Sequence, residues 1–250
     1  MANQIRTAGL ALLVGIAAAS SESTAADMQG ETPEMLSLAY EHSVYQAAVK
    51  QPVFAVRLKS IDPSRPVAVI TLTRRMPVTD AGTLYGDTWV SQPSDLAPHC
   101  AGKEDAVLAL EQTLGIPPDR TAEDHAARFL VRFTADPANI FRPCASSPDI
   151  TTETCTFDLP KPAENEADRA KQQQGQLFVF AQMWNSYRTG FDGRAGYPFT
   201  GMGWTYDWSP ESATHVGVSE YVVRGGAPVT DVTRVEPAEF CAATVSAASP

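Results

Sequence analysis

The sequence predicts an α+β fold, in which two or three helices pack on a mainly antiparallel or mixed sheet of about five or six strands. Several short runs alternate apolar and polar residues, longer segments carry helix signals, and Pro and Gly residues separate these segments. A chain of 250 residues with 44% hydrophobic and 19% charged residues has ample material for a core. We expect one mature domain over residues 27–241.

Three segments have the features of helices. They are residues 33–49, 103–114 and 165–188. Pro33 suits a first helical turn, Glu104 and Asp105 oppose a positive helix terminus, and Asn165 is a suitable cap. The predicted inward face of the third helix is Leu177, Phe180, Ala181, Trp184 and Arg188.

Six runs have the character of strands, by alternation or by β-branched content. They are residues 53–59, 67–73, 87–90, 128–134, 216–223 and 229–235. Turn-forming residues predict one hairpin between the first two runs and another between the last two. Residues 93–98 and the proline-rich segment 137–162 are interpreted as loops, the second at the surface.

The first 26 residues are interpreted as a secretory signal peptide. Arg6 is the only charge before a run of 12 apolar and small residues, which is too short to span a bilayer. Cleavage patterns end at Ala19 and Ala26, and we favour Ala26 because Asp27 then opens a polar chain. The sequence thus predicts export to the periplasm or the extracellular space, with no membrane insertion after the signal is removed.

Four cysteines follow this segment, and an oxidising compartment favours their pairing. Among three connectivities we expect Cys144–Cys155, which brackets a short loop, together with Cys100–Cys241. The cysteine spacing does not match a zinc site, so no metal is predicted. Residues 242–250 are rich in Ala and Ser, and we expect them to be a disordered tail.

The charge balance limits the partners. With 19 basic and 29 acidic residues the net charge is −10, which repels phosphate backbones, so nucleic acid is not expected as a partner. The sequence contains no phosphate-binding loop, HExxH motif or EF-hand pattern, and no cofactor is predicted. The sequence leaves the oligomeric state open.

Residues 184–208 contain eight of the chain's 21 aromatic residues and five glycines. Trp204, Tyr206 and Trp208 alternate, so an extended segment would place three rings on one side. Such rings stack on glycans or other small ring-bearing ligands, although the same spacing is commoner where a strand buries its rings. The first hypothesis is an exported binding or interaction protein. Its candidate ligand-binding residues are Arg188, Arg194, Tyr197, Trp204, Tyr206 and Trp208.

Acid–base groups close to this stretch support a second hypothesis, an exported hydrolase. The candidate catalytic residues are Asp207, His215 and Glu220, with Ser219 as the nearest hydroxyl. A turn over residues 208–214 would bring Asp207 near His215, whose imidazole titrates near neutral pH. No GxSxG elbow is present, and a plain surface position for His215 is the simpler interpretation.

Glu220 has two alternative orientations. If it shares an inward face with Val218 and Val222, its carboxylate is buried and needs a cation or a donor. Arg188 and Arg194 are the candidates for that cation. The outward orientation, on an edge strand, is the commoner arrangement and is the one we expect.

Overall fold

Six helices and eight strands make up the part of the chain that the computed structural model describes, residues 32–49, 56–119, 121–158, 160–187 and 196–247. The helices are α1 (Pro33–Val49), α2 (Pro93–Cys100), α3 (Ala106–Thr113), α4 (Ala122–Ala126), α5 (Glu166–Tyr187) and α6 (Pro237–Ala247). The strands are β1 (Val67–Thr73), β2 (Thr88–Val90), β3 (Phe129–Ala135), β4 (Ile140–Phe141), β5 (Trp204–Tyr206), β6 (Val216–Ser219), β7 (Tyr221–Val223) and β8 (Val229–Val235). The predicted α+β class is confirmed.

The eight described strands form three small antiparallel sheets. Their strand orders are β1-β3-β8, β2-β7-β4 and β5-β6. The expectation of one sheet with five or six strands is therefore wrong. The physical reason is that β2 and β4 to β7 have only two to four residues each, and Glu220 separates β6 from β7, which pair with different strands.

Neither predicted hairpin is present among the described residues. Residues 53–55 lie outside that part of the chain, and residues 56–61 have no strand conformation. Leu58 N instead donates to Glu153 O at 2.9 Å, so this segment packs on a loop that is distant in sequence. The second hairpin is absent because β7 pairs with β2 and β4, whereas β8 pairs with β3. Turn residues alone did not determine which strands pair.

Helix α2 occupies residues that the sequence predicted as a loop. Pro93 stands in its first turn, where a missing N–H removes no helical hydrogen bond, and Leu96 and Cys100 are buried. Helix α3 begins later than predicted. Asp105 is its N-cap, since the carboxylate accepts from Leu108 N at 2.9 Å.

Helix α5 faces the interior with residues other than the predicted ones. The exposed residues are Leu177, Phe180, Ala181 and Trp184. Val179 and Gly175 are buried instead. Gly175 permits a close approach, because a Cβ at this position would lie 2.7 Å from Pro148 Cβ. Arg188, the last member of the predicted face, lies outside the described residues.

Both predicted disulfides are confirmed. Cys100–Cys241 joins α2 to α6, and Cys144–Cys155 closes a loop after β4. Helix α6 continues to Ala247, although the sequence predicted disorder from residue 242. The covalent link at Cys241 holds this helix against α2. Among the described residues, no helix has the length and apolar character needed to cross a membrane.

Sheet β1-β3-β8 lies at the centre of the core. On one side Val69, Val131 and Phe133 pack with side chains of β2 and β7. On the other side Ile70 and Leu130 belong to a cluster that includes residues of α2, α3 and α6. A third cluster joins α1 to the segment 202–208. The C-terminal aromatic residues therefore pack against α1 in a cluster of their own.

Candidate functional site

A cavity of about 440 Å³ is lined by β1, β2, the residues that follow α3, and residues 197–206. Its aromatic lining consists of Trp89, Tyr197, Phe199, Trp204 and Tyr206. Its charged lining residues are Asp87, Arg128 and Glu220. The volume and the mainly apolar wall with a few polar groups are typical of small-molecule sites.

Two glycines allow the chain to form this wall. Gly115, with φ of 65°, brings the end of α3 close to Pro198, since a Cβ there would lie 3.2 Å from the ring. Gly203, with φ of 74°, leaves room for Arg142, whose Cδ would be 2.8 Å from a Cβ. Both positions combine positive φ with a close approach, so a larger residue at either would displace the wall.

Thr205 fastens β5 to its surroundings. Its hydroxyl donates to Thr113 O at 2.6 Å and accepts from Val218 N at 2.9 Å. These two bonds connect β5 with the end of α3 and with β6. The backbone that carries Trp204 and Tyr206 is therefore held on both sides.

The three alternating rings are all buried, as the commoner interpretation of their spacing implies. Trp204 is 1% exposed, and Tyr206 and Trp208 are also buried. Trp204 and Tyr206 nevertheless belong to the cavity lining, whereas Trp208 donates from Nε1 to Glu111 O at 3.1 Å. Trp208 thus has a structural contact. Of the other predicted ligand-binding residues, Tyr197 is exposed at the cavity, and Arg188 and Arg194 lie outside the described residues.

Glu220 is buried, so the expected outward orientation is wrong. The residue lies between β6 and β7 and is 7% exposed. Its main-chain N–H donates to Gly203 O at 3.0 Å. Oε1 is buried without a hydrogen-bond partner among the described residues. Burial raises the pKa of this carboxyl to about 8, against the opposing effect of Arg142. Burial therefore favours the protonated form of Glu220, which can both donate and accept.

Arg142 is the cation near Glu220, and the sequence did not single it out. It is 0% exposed, although it belongs to the segment predicted as a surface loop. Its guanidinium donates to Lys59 O at 2.5 Å, to Ile150 O at 3.3 Å and to Gly203 O at 3.4 Å. The same group lies 4.6 Å from the centre of the Tyr221 ring. The apolar neighbours of Arg142 in the sequence, Phe141 among them, were the available signal of its burial.

Asp207 and His215 contact each other through main-chain atoms, and the carboxylate does not bond to the imidazole. His215 Nδ1 lies 2.9 Å from Asp207 O, and Asp207 N donates to His215 O at 3.0 Å. The Asp207 carboxylate accepts from Ser209 N instead, and the imidazole stacks on the Tyr206 ring at 5.2 Å. Neither residue is among the cavity-lining residues, so the structure does not bring them together with Glu220. Ser219 Oγ accepts from Lys59 N at 2.8 Å.

A second buried charged group adjoins the cavity at Arg128. Its Nε and Nη2 donate to the two carboxylate oxygens of Asp119 at 2.8 and 2.9 Å, and Nε also lies 2.8 Å from Glu111 Oε1. Burial raises the pKa of Glu111 to about 8, partly opposed by Arg128 and increased by Asp119. Glu111, Asp119 and His125 each place a ligand atom within 4.8 Å of the other two. Because Arg128 already binds both Asp119 oxygens, the guanidinium takes the position of a cation in this group.

The raised pKa values of Glu111 and Glu220 predict that stability falls as pH rises. Both carboxyls keep their proton in the folded protein up to about pH 8, whereas their ordinary value is 4.5. Their contribution to the free energy of unfolding is therefore complete below about pH 4.5 and is lost as pH rises through about 8. We expect a loss on the order of 1 kcal/mol per pH unit for each group. Urea unfolding at a series of pH values from about 5 to about 8 measures it.

The Glu220→Gln variant provides the internal comparison for this prediction. The amide cannot ionise, so the variant should lose about half of the pH dependence while Glu111 supplies the rest. A free energy of unfolding that rises between about pH 5 and about pH 8 would contradict the assignment.

No protein-family model, curated protein or solved structure matches this chain. The geometry of the cavity is therefore the basis for assigning a function.

Proposed function

We propose that the protein is an exported binding protein that holds a small ring-bearing molecule in the cavity of about 440 Å³. The observation that carries this proposal is the combination of an aromatic lining with two unpaired polar atoms. Trp204 Nε1 and Glu220 Oε1 are buried without hydrogen-bond partners among the described residues, and both residues belong to the cavity lining.

Unpaired polar atoms of this kind are costly. A buried donor or acceptor without a partner lowers stability by about 1–3 kcal/mol, and folded proteins contain few of them. A ligand that accepts from the indole N–H of Trp204 and bonds to the Glu220 carboxyl would remove both costs on binding. The site then gains affinity from groups that the free protein leaves unsatisfied.

The size of the cavity suits a single ring or a short molecule. The sequence interpretation allowed a small molecule or a glycan, and a space of about 440 Å³ favours the first or a single sugar ring over an extended chain. Apolar ring faces would contact Trp89 and Phe199, whose own rings lie 5.7 Å apart in an edge arrangement.

Export is part of the proposal and rests on two observations. The first 26 residues have the sequence pattern of a signal peptide, although they lie outside the described residues. The two disulfides belong to an oxidising compartment such as the periplasm or the extracellular space. The ligand would therefore be a molecule that reaches the protein outside the cytoplasm.

The alternative hypothesis, a hydrolase that uses Asp207, His215 and Glu220, has weaker support. Asp207 and His215 bond to each other through main-chain oxygens and do not line the cavity that contains Glu220. General acid–base catalysis needs these groups within reach of one substrate. The binding function needs only the cavity.

The Trp204→Phe variant tests the proposed function. A thermal-shift screen of small aromatic and sugar metabolites identifies ligands, and calorimetry then gives their affinities. We expect Trp204→Phe to weaken binding about five- to tenfold, which corresponds to one hydrogen bond of about 1 kcal/mol. The free energy of unfolding of the ligand-free variant is measured as well, because removal of the unpartnered N–H stabilises the core whereas the smaller ring leaves a void there.

The matched control is Trp184→Phe, since Trp184 is exposed and is not among the cavity-lining residues. This variant should retain the affinity of the wild type. If the screen identifies no ligand, or if its ligands bind Trp204→Phe and Trp184→Phe equally, the cavity is not the binding site.

A further inference from the structure

One end of the cavity is marked by Arg128. Thr73, the last residue of β1, pairs with Phe129, and Arg128 directly precedes Phe129 in the chain. Thr73 and Arg128 both line the cavity. A cationic side chain that is mostly buried therefore lies where the Thr73 end of β1 borders the cavity.

The other end is marked by Glu220. Ile70 bridges to Ser91, whose neighbour Val90 pairs with Tyr221, the residue that follows Glu220. Ile70, Ser91 and Glu220 all line the cavity. The Glu220 carboxyl therefore lies near the Ile70 end of the same stretch of β1.

The two ends differ in charge and are separated by three residues of β1, which is about 10 Å along a strand at roughly 3.3 Å per residue. This length corresponds to one aromatic ring with a short polar substituent at each side. The cavity thus has a cationic residue towards one end and a carboxyl towards the other, so it distinguishes the two ends of a ligand.

One nitrogen of the Arg128 guanidinium is not bonded to Asp119. Nε and Nη2 are fixed on Asp119, while Nη1 takes part in none of the hydrogen bonds or ion pairs formed among the described residues. Nε also lies 2.8 Å from Oε1 of Glu111, whose pKa burial raises to about 8. Nη1 is therefore the guanidinium nitrogen that remains for a ligand's carboxylate.

We propose that the ligand is a ring-bearing carboxylate and that Arg128 selects it, with Nη1 donating to the ligand's carboxylate. The ring lies against the aromatic lining, and an uncharged polar group of the ligand bonds with Glu220. This inference rests on the binding function proposed above and adds the chemical class of the ligand. Charge-assisted bonds to arginine are stronger than neutral ones, so the carboxylate end dominates the selection.

A panel of matched acids and amides tests this inference on the wild-type protein. The probes are benzoate, phenylacetate, phenylpropionate and para-hydroxyphenylpropionate, each compared with its primary amide by calorimetry. We expect the acids to bind at least about tenfold more tightly than their amides, with para-hydroxyphenylpropionate the tightest. Amides that bind as tightly as the acids would overturn the role of Arg128 and leave the binding function standing. Binding of no member would overturn the carboxylate inference, whereas the binding function is decided by the thermal-shift screen described above.

Two variants test whether Arg128 causes the preference for acids over amides. Arg128→Lys keeps the charge but loses the planar fork, so the ratio of acid to amide affinity should fall several-fold. Arg74→Lys is the matched control, because Arg74 contacts Asp119 and Asp124 but is not among the cavity-lining residues. It should retain the wild-type ratio. Because the ratio of acid to amide affinity is measured within each variant, a general loss of stability does not change it. An equal fall of this ratio in Arg128→Lys and Arg74→Lys would overturn the assignment.

Discussion

Replacing Arg142 with alanine is expected to lower the free energy of unfolding by about 3–5 kcal/mol, the range for breaking a buried charged network. The guanidinium has no exposed surface and donates to the carbonyl oxygens of Lys59, Ile150 and Gly203, which belong to three separate segments. The variant loses these charge-assisted bonds and leaves a void where the side chain was. Urea unfolding monitored by far-UV circular dichroism measures the change.

Arg132→Ala is the matched control for this prediction. Arg132 is exposed on β3, so its loss should change the free energy of unfolding by less than about 1 kcal/mol. Equal effects of the two substitutions would mean that Arg142 does not hold these segments together.

The second large effect is expected from the disulfide Cys100–Cys241. Its partners are 141 residues apart, so replacing both with alanine should lower the free energy of unfolding by about 4–5 kcal/mol, through the greater freedom of the unfolded chain. Cys144 and Cys155 are only 11 residues apart, and their replacement should cost about 2–3 kcal/mol. Urea unfolding of both double variants under the same oxidising conditions compares them.

The order of these two effects is the test, because each double variant serves as the control for the other. If removal of the short-range disulfide destabilises the protein more, chain entropy is not the main contribution, and strain or packing around the loop after β4 would be.

Local signals in the sequence were sufficient for several elements. Asn165 caps α5 as expected, with its side-chain oxygen accepting from Asp168 N at 2.8 Å. The alternation of residues 67–73 and 128–134 predicts β1 and β3, which pair with each other. The short loop between Cys144 and Cys155 favoured their pairing, which left Cys100 with Cys241. For the cap, the strands and the short-range disulfide, the decisive residues lie within one short segment.

The inward face of α5 shows where local reasoning fails. Leu177 and Trp184 form an apolar stripe at helical spacing, yet both are 70% exposed. A periodic pattern identifies a helix but does not state which neighbours cover it. Here Gly175 and Pro148, which are far apart in sequence, bring the other face of the helix to the core.

The site was predictable only in part, for the same reason. The aromatic stretch supplied Tyr197, Trp204 and Tyr206, and the burial of Glu220 was one of two alternatives. Arg128 was not singled out, because its environment depends on carboxylates from α3 and from the loop that follows it. Charged residues that are buried by contacts between distant segments have no periodic signal.

The central position of β3 has a consequence for the order in which the protein assembles. A ribosome completes β1 and β3 long before it reaches β8, the second partner of β3. Until that last strand arrives, one edge of β3 has unpaired main-chain groups, and such edges recruit other extended chains. Contacts between distant segments also form slowly, which prolongs this interval. Until the chain is complete, the border of β3 that β8 later covers is therefore the edge that is open to non-native pairing.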